Sequence, residues 1–144
     1  NMSLTNKHII LLALFISLGE ATIAFSSRDQ TKFYIHSTVY VRVSNSLDDG
    51  AEFTIHCKSK NDDVGTHVIP AGQSYTLSFH PNFWGTTLFF CGITSPEGSV
   101  EFVLYDFIRD FMRCENECDW TVSNMGVSSN TPGGFYFLYG WPKP

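Results

Sequence analysis

An all-β fold, an antiparallel β-sandwich of about seven to eight short strands with one short helical turn, is what this sequence predicts. Three observations carry that expectation. Apolar residues recur with period two, turn-forming residues punctuate them at short intervals, and four cysteines lie behind an apolar leader. At 144 residues the chain is sized for one domain.

The leader comes first in the chain. Lys7 and His8 precede Ile9 to Leu18, an apolar run of about ten residues, the length of a signal-peptide core and too short to cross a bilayer. Small residues follow it, so residues 1–24 read as a cleaved signal peptide and 25–38 as a short lead into the domain. The expected product is secreted, extracellular and soluble. It is not inserted in a membrane, because no second apolar run approaches membrane-spanning length.

Strands occupy 39–126. Val39, Val41 and Val43 alternate with Tyr40, Arg42 and Ser44; Phe53, Ile55 and Cys57 alternate with Thr54, His56 and Lys58; Tyr75, Leu77 and Phe79 alternate with Thr76, Ser78 and His80. Each set describes a strand with one face toward a core and one toward water. Leu88 to Cys91 is continuously apolar and reads as a central strand covered on both sides. Val100, Phe102 and Leu104 form a further set, and Trp120 with Val122 another. Between them fall Asp48-Asp49-Gly50, Asp62 to Gly65, Pro70-Ala71-Gly72, Pro81 to Gly85 and Pro96-Glu97-Gly98, all turn chemistry. From Asp106 to Cys114 the period changes: Phe107, Ile108 and Phe111 take helix-like spacing, which predicts a short helix or irregular turn. Residues 127–144 read as a Gly/Ser/Pro and aromatic tail, with Phe135 to Tyr139 as an optional last strand.

Cys57, Cys91, Cys114 and Cys118 all follow the leader, and an even count in an oxidising compartment predicts two disulfides. Four cysteines allow three pairings. On the chain-entropy model long loops constrain the unfolded chain most, by roughly 3 to 4 kcal/mol each, which favours Cys57 with Cys118 and Cys91 with Cys114. The sequence alone leaves the pairing open.

The net charge of −5 argues against nucleic acid and anionic membranes as partners, since both call for a basic face. Enzyme chemistry finds little support. His36, His56, His67 and His80 lack an accompanying nucleophile motif, and the cysteines are spent as bridges. His56 shares a strand face with Lys58, so a ribonuclease-like hydrolase built on His56 and its neighbours is the alternative reading. The Cys114-x₃-Cys118 spacing lacks the second hook of a zinc site, and Asp62-Asp63 lacks the alternating oxygens of a calcium loop. No metal, cofactor or catalytic residue is therefore expected. Phe83 and Trp84 follow Pro81-Asn82 in a loop and are either core residues, the commoner fate of an aromatic, or exposed anchors for a partner.

The motifs taken together resemble a known family. Ile55-His56-Cys57-Lys58-Ser59-Lys60-Asn61-Asp62-Asp63-Val64-Gly65 is similar to the H-C-K-S-K-D-D-D-L-G signature of the plant self-incompatibility S1 proteins, or S-protein homologues. Thr86 to Cys91 resembles their T-L-F-x-C strand, Val103 to Asp106 stands where they have a D-x-Y-like strand, and Cys114-x₃-Cys118-Asp119-Trp120 with Gly126 resembles their closing C-x-x-x-C-x-W…G element. The resemblance implies a small secreted plant protein with a β-sandwich core and two disulfides. In the poppy members, stigma-secreted proteins are ligands of a pollen receptor and inhibit self pollen. Asn61 departs from the signature by replacing an acid, and the chain runs about 18 residues past Gly126. The expected function is thus a non-enzymatic extracellular ligand, a monomer, for the outer region of a membrane receptor. Its recognition residues are sought in loops on the rigid scaffold: Asp48, Asp49, Asn61, Asp62, Asp63, Phe83, Trp84, Arg109, Glu115 and Glu117.

Overall fold

The computed structural model describes residues 37–130 and 136–143. The expected leader and most of the lead after it lie outside the described residues. Nine strands and one helical turn follow in the order β1 (Val39–Asn45), β2 (Phe53–Lys58), β3 (Asp63–Ile69), β4 (Ser74–Phe79), β5 (Leu88–Ser95), β6 (Gly98–Asp106), α1 (Phe107–Asp110), β7 (Glu117–Ser123), β8 (Gly126–Ser129) and β9 (Leu138–Gly140). They form a five-stranded sheet, β4-β1-β7-β8-β9, and a four-stranded sheet, β3-β2-β5-β6.

The period-two sets explain the core. Val39, Val41, Val43, Leu77, Trp120 and Val122 point inward from one sheet, and Phe53, Ile55, Cys57, Phe89, Ile93, Phe102 and Leu104 from the other. Every one is buried, while their alternates, Tyr105 excepted, are exposed or half-buried, as the pleat requires. All neighbouring strands pair antiparallel except β1 and β7, which run parallel with Val41 beside Cys118 and Val43 beside Trp120. Asn45 ends β1 and is buried; its Nδ2 donates to the Ala51 and Ile69 carbonyls at 3.0 and 2.9 Å, and its Oδ1 accepts from Leu47 N at 2.9 Å. A buried amide is tolerated there because its hydrogen bonds are made.

Several details differ from the sequence reading. β5 is not covered on both sides: Leu88 and Phe90 face outward while Phe89 and Cys91 are buried. β3 occupies a stretch that the sequence marks only as a turn at Asp62 to Gly65. Beyond Gly126 the chain goes on contributing to the sheet through β8, which the sequence reading left in the tail, and through β9, which overlaps the optional last strand of Phe135 to Tyr139. Gly126, at φ +138°, sits so close to the Tyr139 carbonyl that a Cβ there would collide with backbone.

The favoured disulfide pairing is wrong. Cys57 bonds Cys91, and Cys114 bonds Cys118. Register decides the first: Cys57 and Cys91 are direct cross-strand partners on β2 and β5, with Cα atoms 4.1 Å apart. Chain direction decides the second, because the turn after α1 reverses and brings Cys114 to 5.1 Å from Cys118, Cα to Cα. Both spacings lie near the range a bridge spans. Loop-closure entropy ranks pairings in an unfolded chain and says nothing of which cysteines the native register places together.

Candidate functional site

The topology gathers most of the candidate residues at one end of the sandwich. β2 ends, β3 begins, β4 ends, β5 begins, β6 ends and β7 begins there, so the connections carrying Asn61, Asp62, Asp63, Phe83, Trp84, Arg109, Glu115 and Glu117 all emerge on the same side. Asp48 and Asp49 do not join them. They sit in the β1–β2 turn at the opposite end, where Asp48 N donates to Asn124 Oδ1 at 2.8 Å and Asn124 in turn donates to Glu97 Oε1 at 2.9 Å.

In the β2–β3 turn Asp63 is the organiser. Its Oδ1 accepts from Gly65 N at 2.9 Å and lies 2.6 Å from His56 Nε2, while Lys58 Nζ stands 3.8 Å from its other oxygen. The Gly65 amide and then the His56 contact hold the carboxyl below its ordinary value of 3.8. Ser59 ties the tip, its Oγ accepting from Asp62 N at 3.1 Å and its N donating to the Asp62 carbonyl at 2.8 Å. Asn61 and Asp62 are left exposed. A histidine–carboxylate pair with a lysine nearby is the nearest thing to hydrolytic chemistry. It lies on an outward strand face, whereas the shallow depression of about 140 Å³ on the other sheet is lined by Tyr40, Arg42, Thr76, Glu117, Cys118 and Asp119.

The β4–β5 connection is held more firmly. Asn82 N donates to Thr87 Oγ1 at 2.7 Å, Asn82 Nδ2 donates to Thr86 Oγ1 at 2.8 Å, and Asn82 Oδ1 accepts from Thr86 N at 2.9 Å. Gly85 N closes a turn onto the Asn82 carbonyl at 3.2 Å. Phe83 and Trp84 occupy its corner positions, 75% and 81% exposed, with their rings edge to face at 5.4 Å. Of the two fates open to them in the sequence, exposure is the one realised.

Arg109 corrects an expectation. It does not present a charge to a partner: its guanidinium donates to Asp110 at 2.7 and 2.9 Å and to the Val103 and Leu104 carbonyls at 3.1 and 3.2 Å. Arg113 Nε donates to Asp110 Oδ1 at 2.6 Å, the same oxygen that accepts from Arg109 Nε. Both guanidiniums lie 5.2–5.6 Å from the ring centroids of Trp120 and Phe137, a cation–π arrangement. Burial alone would raise the Asp110 pKa; the hydrogen bonds from Arg109 and Arg113 and from Asp106 N outweigh it and lower it instead. Nearby, burial and then the charges of Asp110 and Asp106 push the Tyr105 hydroxyl up to about 12. The cause of the arrangement is local. Asp106 caps α1 through Ile108 N at 3.0 Å, and one helical turn then points Asp110 inward and Ile108 outward.

That turn also supplies what the sequence reading missed. Ile108 and Met112 are 82% and 84% exposed, and Phe111 45%. Four apolar residues among Phe107, Ile108, Phe111 and Met112, around a helix too short to bury more than one face, were the available signal. Among the described residues no group of three or more His, Cys, Asp or Glu side chains could hold a metal ion, and no helix is long and apolar enough to cross a membrane.

Comparison with known proteins agrees with this architecture. Residues 40–141 match the family described as plant self-incompatibility protein S1. The chain is 34% identical to S-protein homolog 3 of Arabidopsis thaliana across 98% of its own length and 95% of that protein's, and 37% identical to S-protein homolog 24 of the same plant across 71% and 69%. A solved structure of a self-incompatibility protein homologue shares the fold, with a TM-score of 0.58 at 15% identity, covering 74% of this chain and 96% of that one. The chain is therefore a member of the plant self-incompatibility S1 family, the S-protein homologues.

Proposed function

We propose that this protein is exported, with residues 1–24 removed, and acts as a monomeric extracellular signalling ligand for a cell-surface receptor, by binding rather than by turning over a substrate. One observation carries the reading: Phe83 and Trp84 stand out from a turn pinned by Asn82, on a scaffold cross-linked by two disulfides. Rigid exposed aromatics lose little entropy on binding and supply large contact area, the usual makings of an interface hot spot. Export is supported by the solved homologue, which belongs to a group described as small, highly stable, secreted proteins from plants. The exposed Asn61 and Asp62 at the same end are further contacts in this reading, as are Glu115 and Glu117.

The test is binding of the labelled, oxidised protein to intact plant cells. Saturable binding, displaced by unlabelled protein and abolished by mild trypsin treatment of the cell surface, is the expected result. Non-saturable binding would overturn the reading. So would turnover of RNA, ester or glycoside substrates that disappears in His56→Ala.

A further inference from the structure

The β4–β5 turn and the α1 connection meet side by side at one end of the sandwich. Gly85, at φ +68°, rests on Phe107 so closely that an added Cβ would stand 2.9 Å from two atoms of its ring. Phe107 N donates to the Thr87 carbonyl at 3.0 Å, and the Phe107 ring stacks on Phe111 at 5.2 Å. Phe83 and Trp84 on one side of this seam, and Ile108, Phe111 and Met112 on the other, are all exposed. Side chains of this size leave on the order of several hundred Å² of apolar surface open to water, as much as the largest patch on a typical monomer.

On the α1 connection itself the exposed charge has one sign, while Arg42, beside Glu117 on the neighbouring sheet, is paired with Asp119. Asp106, Glu115 and Glu117 belong to the same connection, with Glu115 and Glu117 exposed. The two cations of that connection, Arg109 and Arg113, are withdrawn beneath it onto Asp110, their side chains only 19% and 2% exposed. Further along the sheet Lys58 stands opposite Phe90 and is engaged by Asp63. His80, exposed at the end of β4, lies 3.5 Å from Thr38 through its Nδ1. An apolar centre with an acidic margin is complementary to an apolar ridge flanked by Lys or Arg. It disfavours an anionic lipid surface, and a symmetric second copy would set acid against acid.

We propose that Phe83, Trp84, Ile108, Phe111 and Met112 form a single docking surface for a protein partner that presents apolar side chains flanked by basic ones. The assignment rests on the ligand reading above and adds which face is used and what chemistry it meets. Phe83 and Trp84 serve as the anchors, and Glu115 and Glu117 set the preference for a basic partner.

The experiment compares wild type with Trp84→Ser, Met112→Ser and Glu115→Lys, each first checked for an unchanged urea midpoint. The probes are intact plant cells and two synthetic amphipathic peptides of identical apolar residues, one flanked by lysine and one by glutamate. Wild type is expected to bind the lysine-flanked peptide with a blue shift of tryptophan emission, and that peptide is expected to displace it from cells. The serine variants should weaken both interactions about tenfold or more, and Glu115→Lys by severalfold, with the salt dependence reduced. Equal binding of the two peptides would overturn the proposal. So would emission shifts on phosphatidylcholine–phosphatidylserine vesicles without peptide binding, or a dimer in sedimentation equilibrium that Ile108→Asp dissociates. Saturable binding of wild type and Trp84→Ser to cells with equal affinity would sink this surface while leaving the ligand reading standing; no saturable binding by wild type would sink that reading itself.

Discussion

Two carboxylates, Asp63 and Asp110, each sit between two nitrogen-bearing side chains, and they behave as opposites. Asp63, about half exposed, gathers His56, Lys58 and the Gly65 amide around an open turn. Asp110, fully buried, draws Arg109 and Arg113 inward and stacks them against Trp120 and Phe137. The difference is the medium. In water an ion pair gains little over its solvated state and is screened by salt; away from water, an unpaired charge is costly, so the partners become interdependent. The buried cluster is thus a structural joint, and it also shapes the surface. By taking both arginines out of reach it leaves the outer face of the α1 connection apolar and acidic.

The largest expected effect tests that joint. Asp110→Asn removes the charge and leaves two guanidiniums without their counter-ion, at a cost of about 3–5 kcal/mol as for other broken buried pairs. Urea unfolding followed by tryptophan fluorescence would measure it. A loss below about 1 kcal/mol would mean that the cluster is solvated and the contrast with Asp63 false.

The two bridges divide in the same way between the two regions. Cys57–Cys91 closes a separation of 34 residues beside the Asp63 turn, and Cys114–Cys118 closes one of 4 beside the buried cluster. Chain entropy puts the first at roughly 4 kcal/mol and the second at roughly 2. Paired substitutions, Cys57→Ala with Cys91→Ala and Cys114→Ala with Cys118→Ala, should separate in that order in urea midpoints. Peptide mapping without reduction should recover these two pairings, and a Cys57–Cys118 peptide would refute the register.

How far the sequence foretold this can be followed residue by residue. β1, β2, β4, β6 and β7 were legible because each buries one face, and burial of one face in a strand writes period two into the sequence. β3 was not: it is an edge strand whose residues are exposed or half-buried until Ile69, so nothing forces alternation. Leu88 and Phe90 misled because their outward faces carry apolar residues, which mimics burial on both sides. Arg109 and Asp110 look like an ordinary surface pair, and only the direction taken by α1 turns them inward. The grouping of Phe83 and Trp84 with Ile108 and Met112 depends on two turns 20-odd residues apart meeting at Gly85, a contact with no local trace.

Acid sharpens the comparison next. A carboxylate with a depressed folded-state pKa stabilises the fold above its unfolded value of 3.8 and loses that contribution as the pH falls through the lowered one. Thermal midpoints of wild type should therefore fall steeply below pH 3.8, and those of Asp110→Asn, already lower at neutral pH, should fall less over the same interval. Parallel curves for the two proteins would show that Asp110 does not govern the acid limb.

Asp63→Ala should have the smallest global effect and the most local one. Its carboxylate is exposed, so the thermal midpoint should stay close to that of wild type. The Gly65 amide, however, donates to Asp63 Oδ1 at 2.9 Å, and without that acceptor it should exchange with solvent faster, together with its neighbours from Ser59 to His67. Amides of the α1 connection should not respond, because the two clusters share no partner. In wild type, carboxyl chemical shifts should place the Asp63 titration midpoint below 3.8, chiefly through the same Gly65 bond. Exchange that quickens at Phe107 to Cys114 as well would join the two clusters into one network, and the division between an interior joint and an open turn would have to be abandoned.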